Sequence, residues 1–435
     1  MSEDSEQITD RVSNKVDERL AHLSCTTFKP YIFRVPAGLR LENEKAYEPE
    51  IVAIGPYHHD KEKLQKMEDY KLRYLQLFLK RRNESSVNRY VMALRDLEGR
   101  ARNCYAESTD KFDKDKFVEM MLLDGCFIIE LFQKNYTRGL RNLDTDRDPV
   151  FELDQVRSSI EHDLMLFENQ LPFFILVHLL NMTDVVPATR DHIIHLALDF
   201  LHHLLPSPNH LPYSRISVDN VNHLLGLMHD SWCHSFAEIV SGRKVVNKKW
   251  GFIKCATELR EAGIKFEKLT GINTALFDIK FENGVMKIPP FRVEDKTESV
   301  FRNLIAYEQY LPVIHRRRYV TDYMIFMDRL VNSTKDAEKL RHSGIIDNWL
   351  GDDEVVSIMF NKIANKISIC SAMFCYCEVF NNVNKHCEQR RNIWLAKLRR
   401  SYFNSPWAII SFLAAVTLLI LTLIQTVVSI LSYLE

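Results

Sequence analysis

The chain has 435 residues with 57 basic and 58 acidic side chains. That near-neutral balance excludes a general nucleic-acid binder, which would carry a clear basic excess. A hydrophobic fraction of 46% and a charged fraction of 26% are those of a folded body, one large domain or two ordinary ones. Thirteen glycines are roughly 3% of the chain against about 7% on average, and no GxGxxG, Walker-type, GxSxG or HExxH motif occurs. The commonest nucleotide-binding and hydrolase classes are thereby removed, because their loops need glycine to turn sharply around a ligand.

Taken in chain order, residues 1–27 read as an acidic, partly disordered leader, in which Ile8, Val12, Val16, Leu20 and Leu23 make one short amphipathic stripe. It lacks the apolar core of a signal peptide. IFRVP (Ile32 to Pro36) and EIVAIGPYHH (Glu50 to His59) are β-like and broken by Pro36, Pro49 and Gly55-Pro56. A helix follows, with Leu64, Met67, Lys71, Tyr74 and Phe78 at spacings of three and four. Lys116 to Gln133 is apolar nearly all round and predicts a core helix. Asp154 to Leu180 predicts two helices divided at ENQLP, with Pro172 in the first turn of the second. Pro206 to Arg215, rich in proline and polar residues, predicts a linker or lobe boundary near 206–218. A hairpin near 276–293 turns on Asn283-Gly284. That register sets Phe281 opposite Met286 and Ile279 opposite Ile288 on one face, and Lys280 opposite Lys287 on the other. Helices resume at Val300, stop near Gly344 and Gly351, and end in a long helix from about Ser371 to Arg400.

From Pro406 to Leu434 no side chain is charged. A helix needs about 20 apolar residues to cross the hydrocarbon, so residues 406–434 predict a single transmembrane helix, with Ser405 and Pro406 marking its start. Lys397, Arg399 and Arg400 precede it, and by the positive-inside rule this flank stays cytosolic. The expected architecture is mainly α (α+β): a large helical cytosolic body over residues 28–400 with short strands, held to a membrane by its tail. Nine scattered cysteines should then be free thiols. The sequons at Asn83, Asn135, Asn181 and Asn332 read as chance occurrences that never meet the glycosylation machinery.

Several groupings carry possible chemistry. His192, His195, Asp199, His202 and His203 share about 100° of one helix, which suits zinc or a pH-sensing cluster but equally a plain polar face. Cys370, Cys375, Cys377 and Cys387, with His386, lack the CxxC knuckle of structural zinc sites and read as buried thiols, or as a lipidation site at Cys387. Arg316 to Arg318, and Arg243, Lys244, Lys248 and Lys249, are basic runs that attract anionic lipid or form solvated loops. Ser411, Ala415, Thr422, Thr426 and Ser429, beside Gln425, form a candidate self-association stripe in the span, or are singly tolerated. Asp124, between apolar neighbours, reads as a carboxylate paired with a buried arginine or capping another helix, since no matching catalytic base can be named.

The ordered phrases IFRVPAGLRLENEKAYEPEIVAIGPYHHDKEKLQKMEDYKLRYLQLFL, EMMLLDGCFIIEL, DLMLFENQLPFF, ATELREAGIKF, FDIKFENGVMKIPPF, FRNLIAYEQ, VTDYMIFMDRLV and GIIDNWLGDDEVVSIMFNKI resemble the plant-specific "domain of unknown function 247" family, also called uncharacterised protein family 0481. The resemblance runs from about Ile32 to the C-terminal span and is weakest from about Thr183 to Asn220. It implies a plant source, one C-terminal span and no established catalysis or cofactor. It also implies recognition or signalling, since some grass members are associated with self-incompatibility. Its signature residues Asp124, Glu168, Asn169, Gln170 and Glu308 are either a buried polar network or a site.

These readings converge on a tail-anchored, non-enzymatic protein that binds an unknown protein partner at a membrane, with no nucleic acid, no cofactor, and no catalytic or metal residue assigned. The alternatives are an enzyme in which Asp124, Glu168 and the His58-His59 pair meet in one cleft, and a metal or pH sensor using the His192–His203 face.

Overall fold

The computed structural model describes residues 11–22, 30–141, 148–182, 191–204, 206, 216–242, 251–271, 274–311, 318–367, 373–389 and 406–434. The fold is mainly helical. The leader contributes α1 (Arg11–His22), whose Val12, Val16 and Leu20 are exposed; Ile8 and Leu23 lie outside the described residues. After α2 (Ala37–Glu42) come α3 (Lys66–Lys80), α4 (Asn88–Arg102) and α5 (Lys114–Arg141). The stretch from Phe117 to Phe132 in α5 is almost wholly buried, as its lack of a polar face requires. Around it pack α3, α4, α8 (Phe173–Asn181) and α9 (His192–Leu201), while α6 (Pro149–Glu152) and α7 (Asp154–Leu164) lead into α8. The division at ENQLP is present: α7 ends at Leu164, and Pro172 caps α8 from just outside its first turn.

A second layer contains α12 (Thr297–Tyr310), α13 (Tyr319–Leu330), α14 (Thr334–His342) and α15 (Asp353–Ile363), with α10 (Leu224–Ser241) touching α9, α12 and α13. The buried apolar side chains of both layers form one continuous cluster from Ile32 to Val383. Residues 207–215 of the predicted boundary lie outside the described residues.

The hairpin has the expected register. Its strands β2 (Lys280–Glu282) and β3 (Val285–Ile288) pair Lys280 with Lys287 and Phe281 with Met286. Ile279, Met286 and Ile288 are buried and the two lysines exposed, and Asn283 and Gly284 both have positive φ, as a type I′ turn demands. Two pairings were not foreseen. Strand β1 (Lys265–Lys268), after α11 (Ala256–Glu261), joins β3 in parallel, and β4 (Phe291–Val293) pairs in parallel with β5 (Ile346–Asn348). Each is three or four residues long and draws its partner from far along the chain, so periodicity alone gives no sign of it.

The C-terminal half holds one correction. The helix expected from Ser371 to Arg400 is α16, which runs only from Cys377 to Glu388; Gln389 then turns extended. Phe374 and Tyr376 sit in the core ahead of α16, and residues 390–405 lie outside the described residues. Finally α17 (Pro406–Leu434) is a 29-residue helix with none of its apolar window buried against the rest of the chain. At 1.5 Å per residue it is about 43 Å long, enough to cross a bilayer with tilt.

Candidate functional site

The segment Glu50 to Gly55 was expected to be a strand because Ile51, Val52 and Ile54 favour extended backbone. It forms no strand, with bends at Glu50, Ile51 and Gly55, and among the described residues no strand pairs with it. Side chains do that work instead. Asp163, at the end of α7, accepts the amides of Glu50, Ile51 and Val52 at 2.8, 2.8 and 2.9 Å. Asn169 accepts from the Ile54 amide at 2.7 Å and donates to the carbonyls of Val52 and Asp163. Gln170 ties its own turn to α10, donating to the carbonyls of Leu164 and Leu166 and accepting from the Leu225 amide. Buried amides without acceptors are costly, so these three residues satisfy the main chain where no sheet exists.

Asp124 completes the clamp from α5. It accepts the Gly55 amide at 2.8 Å and faces the Lys71 ammonium at 2.6 Å. Lys71 is wholly buried on α3 and also donates to Glu68 and to the Ala53 carbonyl. The partner is therefore a lysine and not the expected arginine. It sat in the apolar stripe of α3, where a long stem packs as well as a hydrophobe. Burial raises the Asp124 pKa, while Asp124 and Glu68 outweigh burial at Lys71 and hold its pKa above the usual lysine value. Gly55 has φ of +71°, and a Cβ there would lie 2.5 Å from the Gln170 carbonyl oxygen. Only glycine fits so close an approach.

Glu168 organises a second part of the same network. It accepts from the Val35 amide at 2.7 Å and from Arg40 at 2.6 Å, with Arg34 at 3.3 Å. The His58 ring lies 3.6 Å from it, fully buried, with neither ring nitrogen hydrogen-bonded. Burial and then the nearby cations of Lys61, Arg40 and Arg34, opposed by Glu48, push the His58 pKa down to about 3, so the ring is neutral. His59 turns away to the Phe112 ring. The structure thus buries Asp124, Glu168 and His58 in the core, with Asp124 on the Gly55 amide and Glu168 beside the His58 ring. A surface cleft of about 330 Å³ lies elsewhere, lined by Tyr31, Arg100, Cys104, Phe174, Asp219 and Asn222 among others, and none of these acids or histidines borders it.

Glu308 stands apart from that network. It accepts from the Val320 and Thr321 amides and the Thr321 hydroxyl, so it anchors the start of α13, and it meets His229 Nε2 at 2.8 Å. Cys233 Sγ lies 3.7 Å from the same nitrogen. Among the described residues, His229, Cys233 and Glu308 form a group with ligand-type atoms all within 4.8 Å of one another. Sequence reading missed it. The His-x3-Cys spacing on α10 was visible, but its partner lies 79 residues from His229.

The other groupings separate. On the histidine face His192 stacks edge-on to Tyr136, Asp199 accepts from Asn135, and the rings of His202 and His203 lie against each other. Cys375, Cys377 and Cys387 are half-buried and in no disulfide, and Cys370 lies outside the described residues. So do Arg316, Arg317, Arg243, Lys244, Lys248, Lys249 and the flank Lys397, Arg399 and Arg400. In the span, the Thr422 and Thr426 hydroxyls donate to the carbonyls four residues back.

The family model described as "Plant protein of unknown function" (DUF247) matches residues 32–421. The chain is 31% identical to UPF0481 protein At3g47200 of Arabidopsis thaliana, over 93% of this chain and 87% of that one. It is 22% identical to Putative UPF0481 protein At3g02645 of the same plant, over 95% and 93%. No solved structure matches the chain. With the family model covering nearly the whole length, the chain belongs to the plant DUF247 family, uncharacterised protein family 0481.

Proposed function

We propose that this is a single-pass membrane protein whose helical body lies in the cytosol and works by binding another protein, not by catalysis. The observation that carries the reading is α17. Its apolar side chains are exposed on every described face, while the body closes its core without them. A helix of that kind is stable where lipid replaces water. The threonine hydroxyls bonded within the helix lower the cost of placing them there. The basic flank at Lys397, Arg399 and Arg400 favours a cytosolic body.

Support for recognition comes from how the polar signature is used. Asp124, Asp163, Glu168 and Asn169 are consumed by internal hydrogen bonds, which suits a rigid platform for surface contacts. The surface also offers apolar anchors at Trp349, Val355 and Ile358, with Arg292 over the Trp349 ring at 4.8 Å. Exposed aromatic and arginine side chains are the usual anchors of protein interfaces. The test is proximity labelling from the full-length protein in membranes, compared with α17 alone on an inert reporter. The reading expects neighbours specific to the full-length protein that are lost in Trp349→Ala. Identical neighbours for both proteins would refute it.

A further inference from the structure

We propose that His229, Cys233 and Glu308 form a buried structural zinc site that ties α10 to α12 and α13. The thiol and imidazole, four residues apart, share one face of α10, and the carboxylate enters from α12. Cys, His and Glu are all zinc donors. Tetrahedral zinc, with bonds of about 2.0–2.3 Å, sets neighbouring ligand atoms about 3.3–3.7 Å apart. The Cys233–His229 separation is already 3.7 Å. Glu308 Oε1, which also accepts the Val320 amide, must withdraw by about half an ångström from its 2.8 Å contact with Nε2 to admit the metal, with Oε2 held by Thr321.

The surrounding groups point to a cation independently. His229 Nδ1 lies 3.1 Å from Asp230 Oδ1, the carboxylate contact that fixes the tautomer of metal-bound histidines. With the proton on Nδ1, the lone pair of Nε2 faces a carboxylate oxygen at 2.8 Å. Two acceptors cannot touch without positive charge between them. A proton supplies it and leaves the Cys233 thiol as a weak hydrogen-bond partner of Nε2 at 3.7 Å. A zinc ion uses all three donors, and thiolate, carboxylate and Zn²⁺ sum to zero charge, which a site this buried requires. Binding expels the thiol proton, together with any proton held between His229 and Glu308, and forms the S–Zn, N–Zn and O–Zn bonds without redox change, with a water as the fourth donor of the tetrahedron. All three ligands are buried, so the ion enters as the chain folds, and its role is structural.

The test is metal analysis of the full-length protein purified in detergent without chelators, followed by cobalt substitution. The expected result is about one zinc per chain, a thiolate-to-cobalt charge-transfer band in the Co²⁺ form, and loss of both in Cys233→Ser and Glu308→Gln. His195→Ala should keep them. Wild type that folds metal-free, and gives no thiolate–cobalt band when refolded with Co²⁺ as the sole divalent metal, would overturn the proposal, and it does so without relying on any variant. Zinc retained in Cys233→Ser, with a cobalt spectrum lacking the thiolate band, would also overturn it, as adventitious surface binding.

Discussion

Replacing Lys71 by methionine keeps an unbranched stem in the α3–α5 interface and removes the ammonium that faces Asp124 at 2.6 Å. Asp124 is then a fully buried carboxylate whose remaining partner is the Gly55 amide. Breaking one side of a buried ion pair costs about 3–5 kcal/mol. An independent bound gives the same size. The stranded carboxyl can bind a proton, and at pH 7 that costs about 4 kcal/mol for a group with an unfolded pKa of about 3.9. The penalty therefore depends on pH. The unfolded chain releases the proton above about pH 3.9 while the folded variant keeps it, so the loss grows as pH rises and shrinks to about 1.5 kcal/mol at pH 5. Removing the charge as well, in Lys71→Met with Asp124→Asn, should recover much of the loss, because no buried ion is then left alone. Urea unfolding of the full-length protein in detergent at pH 7 and pH 5 measures both effects. A single variant within about 1 kcal/mol of wild type at pH 7, or a double variant as unstable as the two singles summed, would refute the reasoning.

Gly55→Ala should cost at least about 2 kcal/mol, from the left-handed backbone and the contact with the Gln170 carbonyl, read as a fall in the thermal midpoint. Asp163→Ala strands three amides at about 1–3 kcal/mol each and should prevent accumulation of folded protein, whereas Asp163→Asn keeps part of the bonding and should fold with reduced stability. Burial holds both His58 and His223 neutral, with pKa values of about 3 in the fold against about 6.5 unfolded. The unfolded chain protonates first, so their contribution is complete above about pH 6.5 and is lost as pH falls toward 3. His58→Gln should flatten that acid limb of the stability curve. Leu419→Arg with Ile420→Arg adds about 2.5–3.5 kcal/mol per residue at mid-span and should release the protein from membranes on carbonate extraction.

Much of this fold was legible because long elements carry their own signal. The apolar circumference of α5, the Asn283-Gly284 turn and the uncharged run of α17 each fix an element from neighbouring residues alone. The 50–55 segment was read as β-like for a sound reason, yet its hydrogen bonds come from Asp163, Asn169 and Asp124, which are 69 to 117 residues away. Nothing local distinguishes a strand that pairs with a sheet from an irregular segment held by side chains. Lys71 was counted as part of a buried stripe without its charge being given a partner. Asp124 was given a partner of the right sign but the wrong residue. The short parallel strands and the His229–Glu308 contact failed for the same reason: each joins segments whose proximity only the packed core creates.

The most direct test of the account is protease protection of the tagged full-length protein in intact membranes, with glycosidase treatment alongside. Asn83, Asn181 and Asn332 are exposed, so they report on a lumenal environment if the body ever reaches one. A membrane-integrated protein whose body is digested and carries no glycan is the predicted result. A protected body with glycan on any of these asparagines would contradict the cytosolic orientation, and a protein washed off by carbonate would contradict the anchor itself.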